Sequence, residues 1–153
     1  MNSQLTIAAH ILAVLAHHKD DGAVTSDVLA EGFGTNPVVI RRVLSQLKKA
    51  GLVASRPGAG GGSVLAKSAD TITIRDAYLA ISDDSETMLG RHPGHCGEGV
   101  SITPIIADYL NELFQDAETA LLNNLGSVSI LELTHEIGRR LGPNVGKKSH
   151  KNQ

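Results

Sequence analysis

The chain has 153 residues, a net charge of −2, 41% hydrophobic residues and a single cysteine. Those totals fit one folded domain, or one small domain with an extension, rather than a disordered chain. They exclude an internal disulfide, and with no apolar run near the roughly 18 residues of a membrane span and no leader-like N-terminus, a cytoplasmic protein is expected.

The charges are unevenly placed. Asn36 to Lys67 holds six basic residues (Arg41, Arg42, Lys48, Lys49, Arg56 and Lys67) and no acid. Thr71 to His135 holds only Arg75 and Arg91 against ten acids, and Arg139, Arg140, Lys147, Lys148 and Lys151 make the end basic again. One concentrated basic segment in a mildly acidic chain points to a nucleic acid partner.

In chain order, Leu5 to His18 spaces Ile7, Ala8, Ile11, Leu12 and Leu15 as one face of a helix, stopped by "KDDG". "VTSDVLAEGFG" predicts a short second helix, with Thr25 as N-cap, Asp27 in the first turn and a Val24–Leu29 staple. Gly32-Phe33-Gly34 is expected to turn the chain. "TNPVVIRRVLSQLKKAG" is the clearest helix: Asn36 caps it, Pro37 takes the first position and Gly51 ends it. Its apolar face is Val39, Ile40, Val43, Leu44 and Leu47; Val38, Arg41, Arg42, Ser45, Lys48 and Lys49 lie outside it. A short helix, a glycine turn and a capped helix with a basic outer face form the helix-turn-helix pattern.

"LVASR" and "SVLAK" then read as two strands around "PGAGGG", the form of a wing. The glycines do not make a nucleotide loop: no Lys-Ser or Lys-Thr directly follows a glycine there, and a strand rather than a helix comes next. "TITIRDAYLAIS" predicts a helix with a Thr73/Asp76 capping box. Ser101 to Leu125 predicts a long helix with Pro104 near its start. Along it Ile106, Leu110, Leu113, Ala117 and Ala120 form a stripe, flanked by Phe114 and Leu121, that calls for a partner helix. "SVSILELTHEIGRRL" gives a last helix with a Ser129/Glu132 capping box.

The expected fold class is mainly α with a small β-hairpin, a winged helix-turn-helix domain plus a long C-terminal dimerisation helix. The expected divisions are a DNA-binding domain at 1–82, a linker holding Cys96 at 83–102, the dimerisation helix and final helix at 103–141, and a disordered tail at 142–153.

"TNPVVIRRVLSQLKKAGLV", followed by "RPGAGGGSVLAKSADTITIRDAYLAI", resembles the Rrf2 family of bacterial transcription regulators. The resemblance implies a homodimeric winged helix-turn-helix protein, most often a repressor, paired through Pro104 to Leu125. Cluster-binding members carry three cysteines before the dimer helix. Here "GRHPGHCGEGVS" offers only Cys96, so an iron–sulfur cluster is not carried over, no cofactor is expected, and the chain is closer to the cluster-less branch.

The helix from Asn36 would enter the major groove of double-stranded DNA. Asn36, Val38, Arg41, Arg42 and Ser45 are placed nearest the bases, where Arg reads guanine bidentately and Val38 meets a thymine methyl. Thr25, Thr35, Lys48 and Lys49 are assigned to phosphates. Arg56 at the base of the wing, with Gly58 and Gly60 at its tip, lies against the DNA backbone. The dimer interface is assigned to Ile106, Leu110, Leu113, Phe114, Ala117 and Leu121.

Cys96 has three readings: a small packed residue, a thiol sensor whose thiolate is favoured by Arg91, His92 and His95, or a metal ligand with His92, His95 and Glu98. The spacing matches no zinc pattern, so no metal site is assigned. Ser45 and Lys48 have S-x-x-K spacing without its partner motifs, and Glu132 and His135 make a lone E-x-x-H, so no enzyme is expected. The rival to a specific regulator is a winged-helix accessory or protein-interaction module with little DNA sequence preference, marked by strong salt dependence without discrimination.

Overall fold

Helix α1 (Ser3–His17) presents Ala8, Ile11, Leu12 and Leu15 on one face, and all four are buried. The structure is a computed structural model that describes residues 3–82, 89 and 102–142. Around α1 stand α2 (Ser26–Phe33), α3 (Pro37–Lys49), strands β1 (Val53–Arg56) and β2 (Gly62–Leu65), α4 (Ile74–Ile81), α5 (Thr103–Gly126) and α6 (Ile130–Leu141). The fold is mainly helical with one two-stranded antiparallel sheet.

Helix α2 starts where its cap dictates: the Thr25 hydroxyl accepts the Val28 N–H at 3.3 Å. The expected Gly32-Phe33-Gly34 turn is shorter than that. Gly32 and Phe33 remain helical, and Gly34 alone turns the chain, in the left-handed conformation with φ 59°. Its N–H satisfies the carbonyls at the helix end, so one glycine suffices.

Helix α3 begins at an Asn36 cap, whose Oδ1 accepts the Val38 N–H at 2.8 Å, with Pro37 just inside. It ends in a two-bond turn: Gly51 N–H to the Lys48 carbonyl and Leu52 N–H to the Leu47 carbonyl, both 3.0 Å. Gly51 sits at φ 74°, which this closure requires. Ile40, Val43, Leu44 and Leu47 face α1 within a single core that also takes Leu29, Leu52, Val53, Ile72, Ala77 and Ile81. Leucine, isoleucine and valine at this density supply the main stabilisation, about 1.5–3 kcal/mol for each fully buried side chain.

The hairpin pairs Val53 with Leu65 and Arg56 with Gly62. Val24 extends it by an antiparallel bridge to Ser63, with N–H to carbonyl bonds of 3.0 and 2.8 Å. The segment before α2 therefore pins β2 to the helical module.

Helix α6, grouped with α5 in the sequence, packs on α1 instead. Ile130 is completely buried in the same core. Thr73 and Ser129, the caps of α4 and α6, form a bridge, and the Ile130 N–H reaches the Ile72 carbonyl at 2.7 Å. Both expected capping boxes are present, Thr73/Asp76 and Ser129/Glu132. Helix α5 packs on α4. The Arg75 guanidinium lies over Gly126 in the last turn of α5, where a cation favours the helix end.

Candidate nucleic-acid interface

Val38, Arg41, Ser45 and Lys48 follow one another at three- and four-residue steps, as do Val38, Arg42, Ser45 and Lys49. That spacing puts all six on the solvent side of α3, opposite the buried Ile40–Leu47 face. All six are exposed, and Val38 keeps 64% of its surface. Val38 lies one turn before Arg41 and Arg42 on this face, and Lys48 and Lys49 close it at the other end.

The remaining assigned residues occupy different stations. Thr25 and Asn36 are exposed N-caps whose side-chain oxygens already accept a backbone N–H. Thr35 is half-buried, and its N–H is taken by the Ala30 carbonyl at 3.0 Å. Arg56 is exposed at the end of β1. Gly58 and Gly60 form the exposed tip of the hairpin at φ 88° and 72°.

Two features were not visible in the sequence. Asp27 of α2 accepts a hydrogen bond from Arg41 at 3.5 Å, placing a carboxylate beside the cationic face of α3. Their separation of fourteen residues gave no periodic signal, and only the helix-turn-helix geometry brings them together. The second concerns the wing glycines. A Cβ on Gly61 would overlap the Arg56 and Gly58 carbonyl oxygens, and one on Gly62 would come within 2.6 Å of the Val24 carbonyl oxygen. The tip glycines are open; it is Gly61 and Gly62 that the packing requires.

Helix α5 carries the residues assigned to assembly. Ile106, Leu110, Leu113 and Ala117 are exposed, while Phe114 and Leu121 are half-buried. Ile102, Ile105 and Tyr109 widen the stripe, with Ile105 at 68% and Tyr109 at 66% exposure. The i, i+3, i+4 spacing from Ile102 would have found them.

Cys96, Arg91, His92, His95 and Glu98 lie outside the described residues. Among the described residues, no three His, Cys, Asp or Glu side chains are grouped to hold a metal, and no helix is long and apolar enough to cross a membrane.

A winged helix-turn-helix is the class of protein that this fold and this cationic helix define. The family model described as Rrf2, iron-dependent transcriptional regulator, matches residues 1–136. The chain belongs to the Rrf2 family of transcriptional regulators, and the family and its relatives are regulators rather than enzymes. YwnA of Bacillus subtilis (strain 168), named as an HTH-type transcriptional regulator, is 32% identical over 139 residues, 90% of this chain and 98% of YwnA. The solved structure of T. potens IscR superposes with a TM-score of 0.70 at 16% identity, covering 99% of this chain and 93% of that one. CymR, the global cysteine regulator of B. subtilis, superposes at 0.59 with 21% identity, covering 89% and 96%. These two likenesses speak for the fold. The sequence holds one cysteine, Cys96.

Proposed function

We propose that this regulator is a homodimer that binds double-stranded DNA at a near-palindromic operator and represses transcription there. The observation that carries this reading is the cationic outer face of α3 beside a glycine-built wing. Lys48 and Lys49 at the end of α3 and Arg56 at the wing suit phosphates, and Arg41, Arg42 and Val38 in its first two turns suit base edges. The exposed apolar stripe on α5 supports pairing, because a lone helix leaves Ile105, Ile106 and Tyr109 in water. Two α3 helices related by a twofold axis would meet half-sites one DNA turn apart.

Selection of genomic fragments by the purified protein, followed by salt titration on the enriched fragment, tests this. Enrichment of one inverted-repeat sequence with a steep salt dependence supports it; equal retention of all fragments favours the accessory module instead.

Cys96 is proposed as a thiol switch, working without a cluster. Its support is its position in the segment between α4 and α5, the connection between DNA-reading head and pairing helix. Peroxide should weaken operator binding by the wild type and leave Cys96→Ser unaffected; an indifferent wild type rejects the switch.

A further inference from the structure

A cavity of about 370 Å³ lies behind the wing, walled by the end of α1, the outer face of the hairpin, the turn after β2 and the start of α6. Its floor is apolar, formed by Leu15, Val64, Leu65 and Leu131. Its rim holds three cations, Lys19, Arg56 and Lys67. None of the three forms an ion pair with a described residue. The one carboxylate on the rim, Asp70, accepts the Ser68 hydroxyl. The cavity thus combines an apolar body with a net positive rim, and its size is at the low end of small-molecule pockets, about 300–1,000 Å³.

We propose that this cavity binds a small organic anion, a carboxylate-headed molecule with a short apolar chain, as an effector of the DNA-binding head. The chemistry selects the class. Three cations on one rim, none paired with a described residue, repel one another, and an anionic head relieves that repulsion while accepting charge-assisted hydrogen bonds. The chain would cover the accessible parts of Val64, Leu65 and Leu131, apolar surface that an inorganic ion leaves wet. A polyanion such as the operator cannot use that floor, because its phosphates carry no apolar body that could enter.

Arg56 belongs both to the rim and to the wing. An anion that holds its guanidinium removes a cation from the DNA side, so anion and operator compete for one group and each lowers the affinity of the other equally. This coupling rests on the DNA reading above; binding in the cavity does not.

The test uses the full chain without DNA, titrated with hexanoate, acetate and hexanol while the methyl resonances of Leu15, Val64 and Leu131 are followed. Hexanoate should bind at these methyls more tightly than acetate or hexanol. Lys19→Met/Lys67→Met, which keeps the apolar stems, should weaken it by about tenfold or more, the loss of charge-assisted contacts. No shift at these methyls, hexanol or acetate matching hexanoate, or undiminished binding by the double variant overturns the site. In a mobility-shift assay, saturating hexanoate should lower wild-type operator affinity by roughly fivefold or more. The double variant, compared with itself with and without the anion, should lose the response. Unchanged wild-type affinity despite proven anion binding overturns the coupling and leaves the site standing.

Discussion

Arg41 of α3 donates a hydrogen bond from Nη2 to Oδ1 of Asp27 on α2, at 3.5 Å, with both side chains exposed. A surface pair of this kind contributes about 0–1 kcal/mol to stability, so its consequence lies in charge and direction. The carboxylate offsets one cation of the α3 face and draws that guanidinium toward α2. Asp27→Asn should therefore leave the denaturation midpoint nearly unchanged. It should raise affinity for non-cognate duplex and narrow the gap between cognate and non-cognate DNA. Fluorescence anisotropy on both duplexes at fixed salt measures this; an unchanged gap would show that Asp27 has no part in reading.

The wing depends on glycines by packing, and the variants separate two effects. Gly61→Ala drives a Cβ into the Arg56 and Gly58 carbonyls, which cannot move without opening the hairpin. Gly58→Ala meets no atom within 4 Å but must adopt φ 88°. Backbone strain of this kind costs about 1–3 kcal/mol. Gly61→Ala should lose more stability than Gly58→Ala, and amide exchange should rise at the Gly61 N–H bonded to the Gly58 carbonyl at 3.0 Å. Equal losses would reject the packing argument.

Assembly is tested on the exposed half of α5. Ile106 is 50% exposed, so Ile106→Glu removes no core side chain. In the proposed dimer it places a charge in an apolar seam, which is strongly unfavourable. Sedimentation at micromolar concentration should show a dimer for wild type and a monomer for Ile106→Glu, with equal helicity. A monomeric wild type contradicts the pairing.

Acid should loosen the ion pairs and cap of α6. Glu136 accepts hydrogen bonds from Arg139 and Arg140, which lower its carboxyl from 4.5 to about 2. The Ser129 backbone N–H likewise lowers Glu132. Because both values are depressed in the folded chain, the stabilisation is present above about 4.5, the usual carboxylate value, and is lost as pH falls toward about 2. Carboxyl carbon NMR should place the Glu136 midpoint well below 4.5, with α6 amides losing protection over the same interval. A midpoint near 4.5 would mean that the two arginines are not bound in solution.

Much of this architecture was legible because it is local. Thr25, Asn36, Thr73 and Ser129 cap where short-range chemistry requires, and the periodic apolar faces of α1 and α3 are the faces buried. What escaped was long-range. The return of α6 onto α1 depends on Ile130 filling a core built from residues no closer in sequence than Ile81. The Thr73–Ser129 bridge accompanies that closure, and the Val24–Ser63 bridge is a second long-range pairing. The candidate interface divides the same way: the α3 stripe follows from helical spacing, whereas Asp27 beside Arg41 and the rim of Lys19, Arg56 and Lys67 exist only once the chain has folded.

Whether α3 reads sequence is decided by the affinity of wild type and Arg42→Ala for a selected operator and for a scrambled duplex of equal length and salt. Arg42 is exposed on the α3 face and is placed at base edges. Its loss should cost about 1–3 kcal/mol on the operator and far less on the scrambled duplex. Equal losses on both duplexes, or a wild type that does not distinguish them, would contradict it.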